Sequence, residues 1–168
     1  MLQKEQIEKY LRALNDELCS MDVKGEVCLY GGAVMCLAFD ARAATKDVDA
    51  VFKPVQLIRE AVVRIARTNN LKEDWLNDGV ARYVVPHSQR VLFDYPCLKI
   101  FIPDADYLLA MKVLAARAET TDREDVVLLI EKLGLTSAEE LFAILERYYP
   151  KVLFKTEVQF FVEGLFER

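Results

Sequence analysis

"LYGGAVMCLAFDARAATKDVDAVF", residues 29–52, is the stretch on which the reading of the fold turns. An apolar run meets Gly31-Gly32, a second apolar run follows, and a polar segment leads to Asp47 and Asp49 inside "DVDAVF". "VCLY" (27–30) predicts a short buried strand, and the glycine pair turns the chain into "AVMCLAF", a helix packed on the sheet. "DVDAVF" (47–52) predicts the second strand. Side chains two apart on a strand point to the same side, so Asp47 and Asp49 share one face and Val48 and Ala50 the other. Two carboxylates so close repel unless positive charge lies between them. A magnesium ion answers that need, since it takes oxygen ligands and keeps positions open for substrate phosphates.

The glycine pair adds to this. Without Cβ atoms, Gly31 and Gly32 let a phosphate approach the backbone, and the start of the following helix favours an anion. Each feature also has a plain reading. Gly-Gly after a strand makes a tight turn, and an isolated acid-x-acid pair is commonly a solvated strand end.

Outward from this centre the pattern is mixed. Residues 2–20 carry Ile7, Tyr10, Leu11, Leu14 and Leu18 at helical spacing, and Lys24-Gly25 closes that segment. Pro54 suits the first turn of a helix marked by Leu57, Ile58, Ala61, Val62, Ile65 and Ala66. Asn77-Asp78-Gly79 signals a turn, followed by expected strands near 80–85, 90–94 and 97–102. From Asp104 onward helices are expected at 105–119, 122–133, 137–148 and 153–167, with Gly134 and Pro150 as breaks. The class is α+β, a small mixed sheet with flanking helices and a helical C-terminal part, or a short α/β unit with a helical tail. Residues 1–103 form the core and 104–168 pack on it in one compact domain.

A hydrophobic fraction of 53% over 168 residues supplies a core. The net charge of −5 excludes a surface broadly built for nucleic-acid phosphates, though not a local basic pocket. The charged start "MLQKEQIEKY" is no signal peptide, and "VCLYGGAVMCLAF" is too short to cross a bilayer, so a cytoplasmic protein with no membrane association is expected. Cys19, Cys28, Cys36 and Cys97 form no CxxC pair and no metal spacing with His87; buried reduced thiols are expected. His87 reads as a surface residue and Trp75 as a packing residue. Arg82, Arg90 and Lys99 read as solvated side chains rather than a basic wall. "RYYPKVLFK" (147–155) and "VQFFVEGLF" (158–166) read as helix-packing surfaces or an oligomer contact.

Two charges interrupt apolar stripes in the helical half. Lys112 lies among Ala105, Leu108, Leu109, Ala115 and Ala116, and Asp125 among Val126, Leu129, Ile130 and Leu133. A buried charge needs a partner. Lys112 and Asp125 either meet each other across two helices, or Lys112 serves a phosphate with Asp125 orienting it. Thr121 and Glu124 read as a capping box, which would leave Asp122 to complement the helix dipole.

The segment 29–52 resembles the first motif of the DNA polymerase beta-type nucleotidyltransferase superfamily: a glycine pair on a strand-to-helix turn, then acid-x-acid on the next strand. Within it the chain looks most like the small AbiEii-related bacterial nucleotidyltransferases, often associated with toxin–antitoxin systems. Those carry an arginine and a threonine before the acids, matched by Arg42 and Thr45. They also carry a later lysine helix and Asp-x-x-Asp, matched by Lys112, Asp122 and Asp125 in "YLLAMKVLAARAETTDREDVVLL". The resemblance covers roughly residues 27–133. It implies the nucleotidyltransferase fold and transfer of a nucleoside monophosphate from a nucleoside triphosphate to a hydroxyl of RNA, protein or a small molecule. Asp47 and Asp49 would hold Mg2+ or Mn2+ and take up the acceptor proton. Gly31, Gly32, Arg42, Thr45, Lys46 and Asp122 would bind the nucleotide, and Lys112 with Asp125 would act at the phosphates. Many members place a third carboxylate on a neighbouring strand. "CLKIFIP" (97–103) has Lys99 instead, leaving Asp94, Asp104 and Asp106 as candidates. A rival expectation is a nucleotide-binding or interaction module without turnover, pairing with a cognate toxin or antitoxin. A phosphohydrolase using the same acids is a third.

Overall fold

Strands β2 (Gly25–Tyr30) and β4 (Val48–Lys53) pair antiparallel around the glycine turn, from Glu26 opposite Lys53 to Tyr30 opposite Asp49. They come from a computed structural model that describes residues 1–115 and 120–167, and only the backbone of residues 120–122. Val27, Leu29, Val48 and Ala50 are fully buried, as apolar residues on an inward strand face should be. β7 (Leu98–Pro103) runs parallel to β2 on the other side. β6 (Gln89–Asp94) pairs antiparallel with β7, and the two-residue β5 (Leu76–Asn77) parallel with β4. The order is β5-β4-β2-β7-β6. With seven α-helices and a second, two-stranded sheet among the described residues, the class is mixed α+β.

These strands belong to one of two units, Met1–Val84 with Gln89–Pro103. Helix α1 (Lys4–Ser20) buries Ile7, Tyr10, Leu11, Leu14 and Leu18 as its spacing requires, and α3 (Val55–Asn69) buries Ile58, Ala61, Val62, Ile65 and Ala66. Trp75 is buried, and its indole N–H donates to the Val62 carbonyl at 3.0 Å.

Several expectations are corrected. Leu2-Gln3 is not helical but a strand, β1, paired with β3 (Ala44–Thr45). Pro54 precedes its helix as the N-cap rather than entering it. Residues 79–83 form a 3-10 helix instead of a strand. Here Asn77 Oδ1 accepts the Gly79 N–H and the Asp78 carbonyl accepts the Ala81 N–H, coiling the chain where alternation alone suggested extension. At the sheet edge, a bulge between Val91 and Phe93 breaks the β6 register, a device that discourages edge-to-edge association.

The cysteines differ most from expectation. Cys28 and Cys36 are buried and form no disulfide, and burial pushes the Cys28 thiol up. Cys19 and Cys97 form a disulfide, with Cα atoms 5.4 Å apart. A pairing across 78 residues of sequence is a tertiary fact that local spacing does not carry.

The second unit comprises Val85–Ser88 and the described residues from Asp104 onward. It contains α4 (Ala105–Ala115), α5 (Thr120–Leu133), α6 (Ala138–Tyr148) and α7 (Thr156–Leu165). Ser137 caps α6 by accepting the Glu140 N–H, and Gly134, at φ +67°, takes the left-handed conformation that follows α5. In α4 the buried residues run continuously from Tyr107 to Ala110 and include Lys112 and Val113, while Ala115 is exposed, so the helix is covered more broadly than a single stripe. His87 is not a plain surface residue. Its ring stacks on Tyr107 at 4.1 Å, and the Tyr107 hydroxyl accepts the Val85 N–H and shares a hydrogen bond with the Tyr149 hydroxyl at 2.9 Å. "RYYPKVLFK" and "VQFFVEGLF" bury Tyr149, Phe154, Val158 and Val162 and leave Val152, Leu153 and Phe160 exposed. Among the described residues no helix is long and apolar enough to cross a membrane.

Candidate functional site

Tyr30 ends β2, and Gly31 leaves it with φ +61°, a conformation that favours glycine. This bend starts α2 (Gly31–Leu37), whose seven residues give only a short dipole. Opposite Tyr30 stands Asp49. A methyl group built on Gly31 would lie 3.0 Å from Asp49 Oδ2, so the carboxylate reaches back over the turn. On Gly32 the same methyl would lie 2.5 Å from Thr45 Oγ1 and 2.6 Å from Arg42 Nη1. The two glycines therefore make room for protein side chains. Asp49, Thr45 and Arg42 rest directly on the turn, and a phosphate brought here would meet their polar atoms.

The segment between α2 and β4 is fixed by pairing with the chain's first residues. Leu2 is opposite Thr45 and Gln3 opposite Ala44, and Lys4 Nζ bridges Asp40 Oδ1 at 2.9 Å. The Asp40 hydrogen bond raises the Lys4 pKa. Thr45 is buried, and its hydroxyl donates to the Asp47 carbonyl at 3.2 Å. Lys46 is exposed. Asp47 lies just before β4 rather than in it, yet the alternation persists: Asp47 and Asp49 are half-buried while Val48 and Ala50 are sealed in the core. The bracing by Leu2, Gln3 and Lys4 escaped sequence reading, because two-residue strands leave no periodic signal.

Lys112 Nζ and Asp125 Oδ2 meet at 2.7 Å between α4 and α5, with side chains only 9% and 4% exposed. This is the inter-helix ion pair, one of the two alternatives the stripes left open. The Asp122 and Thr121 side chains and residue Ala116 lie outside the described residues. Asp94 pairs in register with Lys99, which is opposite Glu26, so Asp94 sits at the end of the sheet away from Asp49. Asp106 accepts from Arg147 Nη1 at 3.1 Å and from the Tyr148 hydroxyl at 2.7 Å in the helical unit. Among the described residues no three or more His, Cys, Asp or Glu side chains gather as a metal site. The donor set for a divalent cation is thus two carboxylates on one half-exposed strand face. That set suits an ion whose other positions are filled by water and phosphate oxygens.

Comparison with protein-family models, with curated proteins and with solved structures finds no match to this chain.

Proposed function

We propose that the sheet unit is a metal-dependent nucleotidyltransferase site with the nucleotidyltransferase fold, acting on a nucleoside triphosphate in the cytoplasm. The observation that supports it is the grouping at one turn of Gly31, Gly32, Arg42, Thr45 and Asp49, with Asp47 half-buried just before β4. Asp47 and Asp49 would hold Mg2+ or Mn2+, which when bound neutralises charge on the transferring phosphoryl group. Arg42 supplies a guanidinium suited to a phosphate, and exposed Lys46 a mobile ammonium beside it. A metal-side carboxylate, Asp47 or Asp49, takes the acceptor proton. Lys112 and Asp125 pair with each other at 2.7 Å inside the helical unit.

A second reading is favoured by Asp94, which lies at the end of the sheet away from the acid pair, and by Asp106, which is held by Arg147 and Tyr148 within the helical unit. Such a chain would bind a nucleotide, or a toxin or antitoxin partner, without turnover. Thermal-shift scans with each of the four nucleoside triphosphates, with and without magnesium, test both readings. Stabilisation that needs nucleotide and metal together, lost in Asp49→Asn and kept in Asp94→Asn, supports the site. No response to any triphosphate sinks it. Release of pyrophosphate from a labelled triphosphate then separates transfer from binding alone, and release of phosphate would mark a hydrolase.

A further inference from the structure

The disulfide lies at the other end of the sheet from the acid pair. Cys19 is in the last turn of α1 and is exposed; Cys97 is half-buried in the turn between β6 and β7. A cleft of about 620 Å³ opens beside it, with Cys97 in its wall among Lys24, Lys53, Lys99, Glu26 and Asp94. Lys53 and Glu26 pair with each other at 3.2 Å, and Lys24, Lys99 and Asp94 complete the charged lining, so both cations and carboxylates stand in the wall that carries Cys97.

The polypeptide holds this arrangement without the sulfur bond. Buried Asn15, one turn before Cys19, accepts the Cys97 N–H on Oδ1 at 2.8 Å. The Cys97 carbonyl accepts the Gly25 N–H at 2.9 Å, and the Tyr95 N–H closes the turn onto the Leu98 carbonyl at 2.9 Å. α1 itself is anchored by its buried stripe. Opening the bond therefore leaves both cysteines near each other and ready to close again. The remaining thiols, Cys28 and Cys36, are buried and take no part.

We propose that Cys19–Cys97 is a reversible thiol–disulfide exchange site whose co-reactant is a low-molecular-weight thiol and its disulfide. A thiolate RS⁻ attacks the sulfur of Cys19, an exposed residue, the S–S bond breaks, and Cys97 leaves as a thiolate on the cleft wall. A second RS⁻ attacks the outer sulfur of the Cys19–SR mixed disulfide, forming RSSR and freeing Cys19. Two protons pass to the two cysteine thiolates, so the protein disulfide is reduced by two electrons while two RSH become RSSR. The reverse sequence restores the bond. The oxidised form ties the end of α1 covalently to the cleft wall, and the reduced form leaves the two joined by hydrogen bonds and apolar packing.

The test equilibrates the native full-length chain with glutathione at graded reduced-to-oxidised ratios, followed by acid quench, unfolding, alkylation and intact-mass measurement. The expected result is one reversible transition from two alkylated cysteines to four, the added labels mapping to Cys19 and Cys97. Circular dichroism stays native throughout, and the melting temperature falls in the reduced form. Cys97→Ser should carry one glutathione on Cys19 under oxidising ratios. Persistence of two labels at every ratio without denaturant would show a closed structural bond and overturn the proposal. So would four labels at every ratio, reduction accompanied by loss of the native spectrum, or no adduct on folded Cys97→Ser.

Discussion

Gly32 carries no side chain because two others already occupy the space where one would begin. A Cβ there would press on Thr45 Oγ1 at 2.5 Å and Arg42 Nη1 at 2.6 Å, well inside normal contact. Gly32→Ala is therefore expected to displace both side chains and lower stability by about 1–3 kcal/mol, the usual range for overpacking. Urea unfolding would measure that loss, and any triphosphate-dependent thermal shift should weaken in the same variant. An unchanged urea midpoint would mean that Arg42 and Thr45 do not rest on this glycine. Part of the site was legible at this scale. The shared side of Asp47 and Asp49 follows from the two-residue period of a strand, and Val48 and Ala50 mark the opposite face. What covers the glycines was not legible, since Arg42 and Thr45 reach them through a loop of no regular period. Asn15 was within reach: it is a polar residue on the stripe of Ile7, Leu11, Leu14 and Leu18, and it proves to hold the Cys97 backbone.

At the scale of elements, one buried charge pair joins two helices. Lys112 on α4 and Asp125 on α5 form a buried 2.7 Å pair, so removing one takes the nearest counter-charge from the other. Lys112→Met alone is expected to cost about 3–5 kcal/mol in urea unfolding, whereas Lys112→Met with Asp125→Leu should recover most of it. A double variant as unstable as the single would argue that the pair has further essential partners. Alkaline pH acts on α6. Burial, then the Asp106 hydrogen bond and charge, push the Tyr148 phenol up to about 12, and Tyr149 is raised as well, by burial and by Tyr107. Between pH 10 and pH 12 the unfolded chain gives up the Tyr148 proton while the folded chain keeps it. Its contribution is thus complete below pH 10 and is lost as pH rises through that window. The urea midpoint should fall between pH 9.5 and roughly pH 11.5, and less steeply in Tyr148→Phe; identical slopes would disprove the assignment. Long periodic elements such as α1, α3 and α6 were readable because many residues vote for one face. Residues 79–83 were not, because a single Asn-Asp-Gly turn outweighed weak strand propensity.

Across the whole molecule, the bond between Cys19 and Cys97 spans 78 residues, including the glycine turn and both acids. Closing a loop of that length restricts the unfolded chain, so Cys19→Ser with Cys97→Ser is expected to lose about 2–4 kcal/mol in denaturant unfolding while folding to the same secondary structure. Equal stability of variant and oxidised parent would exclude a constraining bond. Mixed α+β character was legible from the order of runs and glycines. The cysteine pairing was not, since neither residue has a neighbour in sequence that marks it. The lone tryptophan adds a practical consequence. Trp75 is 2% exposed, 5.6 Å from the Tyr10 ring and hydrogen-bonded to α3, all within the sheet unit. Its fluorescence is therefore a private reporter of that unit. A red shift in emission announces solvent reaching the core between the sheet, α1 and α3.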